Sequence, residues 1–417
     1  MVTRQALDQT HGTMSVRRQA WATRIVFAAN GGMFATWISR IPAVRDDLGA
    51  DERGLGFALL FTAIGSLLAM PLSGRLVSKV GARKVMVTCV LACLLAYPAL
   101  GLAPSLVALG AVLLVVGAAV GVWDVAMNVS GHEVEQLAGR DLMPGFHGAW
   151  SIGSVLGAGA GALAAHLGLD PAVHFTLGSL TVGVAALLAV RVMPEVTGDP
   201  NDHLHAGAYA EADAAGEHHV PRRRPLVADP RLLGLGIMTF CAAWAEGSAN
   251  DWLALMLADT REASEAMAAA GFAVFATAMT IGRVTGTAVV TRLGRVRTLR
   301  SGAVVTAVGV LLLLLVPSLA VGYLGALLWG LGIAIAFPLA MTAAGETPGR
   351  GPSAIATVAT IAYAGFLVGP PLVGTIAHGI GLDRALLLVL LLAAGVFALA
   401  GNARDPRVPA QPEPAMR

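Results

Sequence analysis

Apolar stretches long enough to cross a bilayer recur along the whole chain, separated by short polar segments. A transmembrane helix needs about 20 mostly apolar residues. Twelve such stretches run at about 21–41, 55–77, 84–103, 106–130, 145–167, 172–192, 232–257, 268–290, 299–317, 319–342, 354–377 and 384–402. The third and fourth stretches are separated only by residues 103–105, and the ninth and tenth only by residues 317–318. Hydropathy alone therefore also allows ten or eleven spans. The pattern predicts an all-α polytopic membrane protein.

The placement of basic residues decides between these counts. If the N-terminus is cytoplasmic and the spans number twelve, most of the 28 Lys and Arg residues fall in cytoplasmic segments, and only Arg45, Arg53, Arg261 and Arg384 fall outside. Cytoplasmic loops of membrane proteins carry such an excess of Lys and Arg. We therefore expect twelve transmembrane helices in the plasma (inner) membrane, with both termini in the cytoplasm.

Composition excludes several other classes. Hydrophobic residues make up 56% and charged residues 13% of the 417 residues, whereas a soluble domain carries about 25% charged residues. The net charge of +2 gives no indication of nucleic-acid binding. Cys89, Cys93 and Cys241 lie inside apolar stretches without metal-ligand or disulfide spacing. In His132-Glu133-Val-Glu135-Gln136 a glutamine stands where a zinc protease helix has its second His. We expect no enzyme, no cofactor and no metal.

A polar stretch divides the chain into two halves. It is rich in Asp, Glu, His, Gly and Ala, as linkers are. His203, His205, His218 and His219 lie in it, without the tight spacing of a metal site. The predicted organisation is a cytoplasmic tail (1–20), an N-terminal six-helix bundle (21–193), a cytoplasmic linker (194–230), a C-terminal six-helix bundle (231–403) and a cytoplasmic tail (404–417).

The two halves share a repeated loop sequence. Aligning Gly81 with Gly294 pairs Ser78 with Thr291, Lys79 with Arg292, and Lys84 with Arg297. The segment Gly74–Lys84, with its two glycines followed by Arg83 and Lys84, resembles the loop signature of the major facilitator superfamily. This resemblance implies two pseudo-symmetric six-helix bundles, the MFS fold. Ser78 stands where the family usually has Asp, so the usual ion-paired latch is not expected here, and Arg83 and Lys84 would serve orientation in the membrane.

Two further segments resemble one branch of that superfamily. Asp124-Val-Ala-Met-Asn128 has the acid, alanine and amide spacing of fucose-permease-like sugar/proton symporters. Together with Phe146-His147-Gly-Ala-Trp150 it resembles the YbjJ-like transporters of that group. The symporters' acid in the first span has no counterpart, because Ile38 or a neighbour stands there. The resemblance implies proton-coupled transport of a small solute, with His147 and Trp150 near the site.

The fourth span carries the first candidate for function. Gly117, Gly121, Asp124 and Asn128 fall on one helical stripe. An acid within the bilayer costs about 2.5–3.5 kcal/mol, so its presence suggests a function. We interpret Asp124 as the proton site and the glycines as contacts for a neighbouring helix or a ligand. A structural hydrogen bond from Asp124 to the fifth span is the alternative.

Other polar and aromatic residues complete the predicted site. Glu246 and Asn250 share a face of the seventh span, where amides and acids beside aromatic rings suit a hydroxyl-rich ligand. Asp251 and Trp252 belong either to this group or to the outer interfacial belt. Asn30 and Trp37, seven residues apart, are cavity candidates, with Tyr363 as a weaker one.

Three ionisable residues leave their partners open. At a depth similar to that of Asp124, His147 would pair with it or cap a helix start. Arg283 needs a partner, either Asp124 or a carbonyl, whereas Arg40 would pair with an acid near the outer surface.

Four glycines of the fifth span predict close helix packing. They are Gly153, Gly157, Gly159 and Gly161, and a nucleotide-binding loop is not favoured because no strand precedes them.

Together these features predict a monomeric secondary transporter that works by alternating access. We expect uptake of a small, polar, sugar-like solute coupled to protons. Two alternatives stay open: a proton-coupled exporter of drugs or metabolites, and a membrane receptor or scaffold that transports nothing. The exporter would carry a basic residue in the fourth span, where Leu113 or a neighbour stands, and a proline in the fifth, where Ala162 stands.

Overall fold

The computed structural model describes residues 2–140, 142–196, 229–347 and 351–404. Within these ranges the regular structure is helical, without a β-strand. Most of the predicted linker, including its four histidines, and most of the predicted C-terminal tail lie outside the described residues. The predicted N-terminal tail is continuous with the first helix, which begins at Val2.

The helices form twelve membrane-spanning segments, here called spans 1–12. Spans 1–6 are Val2–Ile38, Glu52–Val80, Ala82–Gly101, Leu106–Ala138, Met143–His166 and Pro171–Val190. Spans 7–9 are Pro230–Arg261, Glu265–Leu293 and Arg295–Leu315, and span 11 is Gly351–Ile380. Span 10 consists of Leu319–Ile333 and Ala336–Gly345, and span 12 of Leu382–Ala385, Leu388–Leu399 and the 3₁₀ turn Ala400–Ala403. A short helix, Ile41–Asp47, follows span 1.

Composition separates span 1 from the rest. By length and hydropathy, eleven helices of the described residues could cross a membrane, and span 1 is not among them. Arg24, Asn30 and two glycines interrupt its apolar run. It nevertheless packs lengthwise against spans 5 and 6 and completes the bundle. The prediction of twelve helices is confirmed.

Proline and glycine explain where span 10 breaks and where span 4 ends. The α-helix of span 10 stops at Ile333, because the ring of Pro338 would clash with the carbonyl of the residue four positions earlier. Span 4 continues two turns beyond the predicted end at residue 130. It stops at Gly139, which adopts the left-handed conformation with φ 60°. This extra length changes the depth of Asp124, as described below.

Each helix contact in the first half has an equivalent in the second. Span 1 packs on spans 5 and 6, as span 7 packs on spans 11 and 12. Span 4 packs on spans 2 and 3, as span 10 packs on spans 8 and 9. The two halves meet mainly where span 5 contacts span 8 and span 2 contacts span 11, a pair of contacts related by the same symmetry. The predicted pair of pseudo-symmetric six-helix bundles is therefore observed.

The repeated loop has the same backbone geometry in both halves. Gly81 joins spans 2 and 3 with φ 96° and ψ 141°, and Gly294 joins spans 8 and 9 with φ 76° and ψ 159°. Side-chain-bearing residues rarely adopt this conformation, so glycine is required at both turns. The alignment drawn from the sequence thus pairs structurally equivalent residues.

Around Gly81, the side-chain contacts assigned among the described residues join elements of the first half. Ser78 Oγ donates to Arg75 O of its own helix. Arg83 donates to Met193 O and lies 3.5 Å from Glu195, both in the segment that directly follows span 6. A Cβ added to Gly74 would meet nothing within 4 Å. Arg83 therefore anchors span 3 to span 6, a role beyond the predicted orientation in the membrane.

Glycines on one face of span 5 allow it to contact span 1 closely. A Cβ added to Gly153 would overlap Ala28 O, and one added to Gly157 would lie 2.5 Å from Gly32 O. At Gly161 the overlap would be with Ser39 Oγ. A Cβ on Gly159, which faces away, would meet nothing within 4 Å. The predicted close packing is confirmed for three of the four glycines.

We expect Gly153→Val to destabilise the protein and Gly159→Val to leave its stability nearly unchanged. Overpacking a close contact costs about 1–3 kcal/mol, and Gly153 should lie at the upper end because the atom in its way is a backbone oxygen. Thermal unfolding in detergent measures the difference. Equal unfolding temperatures for the two variants would contradict the close contact between spans 1 and 5.

Candidate functional site

A cavity of about 300 Å³ lies between the two halves of the bundle. Its size is at the lower end of the range of about 300–1,000 Å³ for small-molecule sites. Its wall is largely apolar, with six aromatic residues and a few polar groups. The aromatic residues are Phe34, Trp37, Tyr97, Trp150, Tyr363 and Phe366, and the polar residues are Thr62, Ser66, Glu246, Asn250 and Asp251.

Span 7 supplies most of the polar wall. Glu246 and Asn250, four residues apart, share a face of the helix, and the next residue, Asp251, also lines the cavity. Glu246 forms an ion pair with Arg283 of span 8, with Nη2 3.1 Å from Oε1. The prediction that Asp124 or a carbonyl pairs with Arg283 is therefore wrong. Because these two charges neutralise each other, Glu246 adds no net charge to the cavity.

Asp251 differs from Glu246 in having no such partner. Among the described residues, its side chain forms no hydrogen bond or ion pair. It lines the cavity, and its neighbour Trp252 is fully buried at 0% exposure. The alternative that both residues belong to an interfacial belt is therefore wrong. Sequence periodicity could not show this, because the inward face of span 7 depends on its packing against span 11.

Trp37 of span 1 and Trp150 of span 5 both line the cavity. Trp150 Nε1 donates to Asn30 Oδ1 over 2.9 Å, and its ring lies 5.7 Å from that of Phe34. Asn30 is buried and does not line the cavity, so the prediction that it contacts the solute is wrong. Its side chain instead holds the indole ring of Trp150 in place. Trp37 lines the cavity as predicted.

Asp124 lies one turn beyond the cavity wall. Span 4 contributes Val116, Gly117 and Val120 to that wall. Asn128 Nδ2 donates to the backbone oxygen of Asp124 over 2.8 Å. The half-buried carboxyl of Asp124 interacts electrostatically with Tyr363, which belongs to the other half and lines the cavity. Asp124 thus lies between the cavity and the end of the bundle that holds the chain termini, here called the termini end.

The glycine stripe of span 4 serves helix packing. A Cβ on Gly117 would overlap Thr62 O, and one on Gly121 would lie 3.0 Å from Ser66 Oγ. Ser66 Oγ also donates to Gly117 O over 2.8 Å. Of the two interpretations left open, the contact with a neighbouring helix is correct, and that helix is span 2.

His147 does not pair with Asp124. Asp124 is fourteen residues from the end of span 4 at Ala138, and His147 is four residues into span 5. At 1.5 Å per residue these depths are about 21 Å and 6 Å. His147 is exposed, with its ring edge-on to Phe27. It does not cap span 5 either, because Glu135 Oε2 accepts hydrogen bonds from Leu142 N and Met143 N there. The depth of Asp124 could not be predicted from the sequence, because span 4 is longer than its apolar stretch.

Ion pairs between the halves close the end of the bundle opposite the termini, here called the ion-paired end. Arg40, which is 1% exposed, pairs with Glu265, as the sequence predicted for an acid near that surface. The short helix contributes Arg45, which binds both carboxylate oxygens of Asp259. His378 Nδ1 lies 3.2 Å from Asp51 Oδ2. All three contacts join one half to the other.

The ion pairs assigned at the termini end have a different arrangement. Arg83 pairs with Glu195, and Arg295 with both carboxylate oxygens of Glu346. Each of these pairs joins spans of the same half. At the ion-paired end, burial acts to lower the pKa of Arg45, but its hydrogen bonds to Asp259 and Asp46 outweigh this effect and raise the pKa. Arg45 therefore stays charged.

Several cavity residues gave no distinctive signal in the sequence. Tyr97 Oη donates to Met33 O over 2.7 Å while its ring lines the cavity. Thr62 Oγ1 is buried and has no hydrogen-bond partner among the described residues. Such residues are indistinguishable from packing residues until the helices are placed.

Comparison with known proteins gives matches along nearly the whole chain. The sequence model of the Major Facilitator Superfamily matches residues 22–351 and 235–416. An uncharacterised MFS-type transporter of Yersinia pestis is 35% identical over 385 residues, covering 92% of this chain and 95% of its own. The membrane protein MosC of Rhizobium meliloti is 28% identical over 401 residues, covering 94% and 92%.

Solved structures show the same fold. The nucleoside transporter NupG superposes with a TM-score of 0.71 at 14% identity, covering 92% of this chain and 98% of its own. A bacterial homologue of the human lysosomal transporter Spinster, in an inward-facing and unoccupied conformation, gives 0.70 at 13% identity, covering 94% and 99%. At these identities the likeness concerns the fold alone.

Proposed function

Because the chain belongs to the Major Facilitator Superfamily, a family of multi-pass membrane transporters that are not enzymes, we propose that it imports a small polar solute together with protons. The observation that carries this proposal is the cavity between the halves. Aromatic rings face polar groups of span 7 across it. Transporters of this architecture bind their solute at the interface of the repeats.

The cavity chemistry favours a sugar-like solute. Aromatic faces pack against C–H groups, while Asn250 and the carboxylates of span 7 provide hydrogen-bond partners for hydroxyls. The acid and amide spacing of Asp124 and Asn128, shared with the fucose-permease-like and YbjJ-like branch, supports the same proposal. In this proposal, Asp124 carries the proton and exchanges it with water at the termini end.

Alternating access would proceed by rocking of the two halves, residues 21–193 and 231–403. The ion pairs of Arg40 and Arg45 and the contact between Asp51 and His378 hold one end together and break when that end opens. The concentration of basic residues at the other end supports a cytoplasmic location for both termini and insertion in the inner membrane. The cavity lies within one chain, which supports function as a monomer.

A flux experiment tests the proposal. Purified protein is first screened against a set of hydroxylated solutes by thermal shift, and the stabilising compounds are then radiolabelled. Proteoliposomes should accumulate such a compound when the outside is more acidic and should only equilibrate it when the pH gradient is collapsed with an ionophore. Accumulation that is equal with and without the gradient would contradict proton coupling, and an absence of flux would contradict transport.

A further inference from the structure

The charges that face the cavity do not balance. Its ionisable lining residues are Glu246, Asp251 and two tyrosines. Glu246 is neutralised by Arg283, whereas Asp251 has no ion pair or hydrogen bond within the described residues. A carboxylate removed from water is costly unless a cation accompanies it. The cavity therefore has an excess of one negative charge whenever Asp251 is ionised.

The groups on the same cavity wall are those that bind organic cations. Phe34, Trp37, Trp150 and Tyr363 present aromatic rings to the same space as the Asp251 carboxylate. An ammonium group over such rings is attracted to their negative faces, and more strongly when water is excluded. The other polar residues of the wall are Thr62, Ser66, Glu246 and Asn250, of which Ser66 donates to Gly117 O and Glu246 is paired with Arg283. A carboxylate beside several rings is the usual chemistry of ammonium recognition.

The position of Asp251 separates it from the ion pair of span 8. It follows Glu246 by five residues, or about 7.5 Å along the helix, towards the ion-paired end. The end of span 1 at Trp37 and Ile38 lines the same cavity. A solute can thus place a cationic group at Asp251 while its remaining surface contacts Asn250 and Trp150.

We propose that the cavity selects solutes that carry one ammonium group, with Asp251 as the counter-charge and Trp37, Trp150 and Tyr363 as the surrounding rings. This inference rests on the proposed transport function and narrows its solute class. A polar ring bearing one amino group would satisfy both the hydroxyl-binding wall and the charge. Asp124 then remains available for the proton, because it lies outside this wall.

Matched probes of equal shape and different charge test the proposal. Cyclohexylammonium, cyclohexanol and cyclohexanecarboxylate are titrated into the purified full-length protein by isothermal calorimetry. We expect the ammonium compound to bind at least about tenfold more tightly than the alcohol, since hydrogen bonds to charged groups exceed neutral ones by about that factor. The carboxylate should bind more weakly than the alcohol.

Variants test whether Asp251 is the source of the preference for the ammonium compound over the alcohol. In Asp251→Asn the ratio of ammonium to alcohol affinity should fall to about threefold or less. Asp383→Asn, which removes an exposed aspartate at the start of span 12, should keep the wild-type ratio. Trp37→Leu should weaken ammonium binding more than alcohol binding, which provides a second test if Asp251→Asn does not fold.

Other outcomes would overturn the proposal. Equal affinity for the alcohol and the ammonium compound would contradict it. A second contrary result would be that the affinity for the alcohol rises below neutral pH in the wild type but not in Asp251→Asn. Asp251 would then be a proton carrier instead. Alcohol binding that requires sodium would make it a sodium ligand. Flux of a neutral solute without an ammonium preference would refute this inference alone, whereas ammonium binding without flux would refute the proposed transport.

Discussion

Asp124→Asn is expected to abolish accumulation driven by a pH gradient while leaving solute exchange intact. The amide has nearly the shape of the carboxyl group but cannot take up or release a proton. Asp124 lies outside the wall of the solute cavity, so its replacement should spare solute binding. With a pH difference of one unit and one proton per solute, the wild type sustains about tenfold accumulation, and the variant should reach no more than equal concentrations.

Glu133→Gln provides the matched control for this experiment. Glu133 lies on the same helix as Asp124, nine residues nearer the termini end. Its neutralisation should keep accumulation at the wild-type level. Radiolabelled counterflow without a pH gradient measures exchange in the same vesicles. Undiminished accumulation by Asp124→Asn would remove Asp124 from the proton pathway, and loss of counterflow would make it a solute-binding residue.

Arg40→Gln is expected to open the ion-paired end. Arg40 is almost completely buried, where it contacts Glu265 and also donates to Leu169 O over 2.8 Å. Removing one partner of a buried ion pair costs about 3–5 kcal/mol. The cost should lie at the lower end of that range, because the side chain of Glu265 is 33% exposed and water can still solvate its charge. The ratio of the state closed at this end to the state open there should fall at least about tenfold.

Cysteine labelling from the ion-paired side measures this opening. A cysteine at Ala63, which lines the cavity, should react with a membrane-impermeant maleimide at least about tenfold faster in Arg40→Gln than in the wild-type background. The native cysteines are buried and provide a low background. Arg384→Gln removes an exposed arginine at the same end and should not change the rate. Equal rates in all three proteins would show that Arg40 does not hold this end closed.

The sequence predicted the helices and their division into two six-helix halves, because both can be read from patterns along the chain. Length and hydropathy determine whether a segment can span a bilayer, and the positions of Arg and Lys orient it. The repeat at Gly81 and Gly294 was detectable because a left-handed turn requires glycine at both places. These features are local in the chain and need no knowledge of which helix packs on which.

The site was predicted less completely because it depends on the rotation and depth of separate helices. Trp37, Trp150, Glu246, Asn250 and Tyr363 do line one cavity. The partner of Arg283 lies 37 residues away on another helix, and no spacing rule relates it to Glu246. Likewise, Asn30 faces Trp150 instead of the solute because of where span 5 crosses span 1. Periodicity identifies a face of each helix but not its neighbour.

The ion-paired end makes the transport cycle sensitive to the salt around it. Arg45–Asp259 and Asp51–His378 lie at the protein surface, and Asp51 also accepts a hydrogen bond from Gly54 N at the start of span 2. Dissolved ions screen such charges over about 10 Å at 0.1 M ionic strength and over about 3 Å at 1 M. The pair of Arg40 and Glu265 is screened less, because Arg40 itself is 1% exposed. A rise in ionic strength on this side alone would therefore loosen Arg45–Asp259, and also Asp51–His378 when His378 is protonated, more than the pair of Arg40, so the medium that the protein faces would help to set how long this end stays shut.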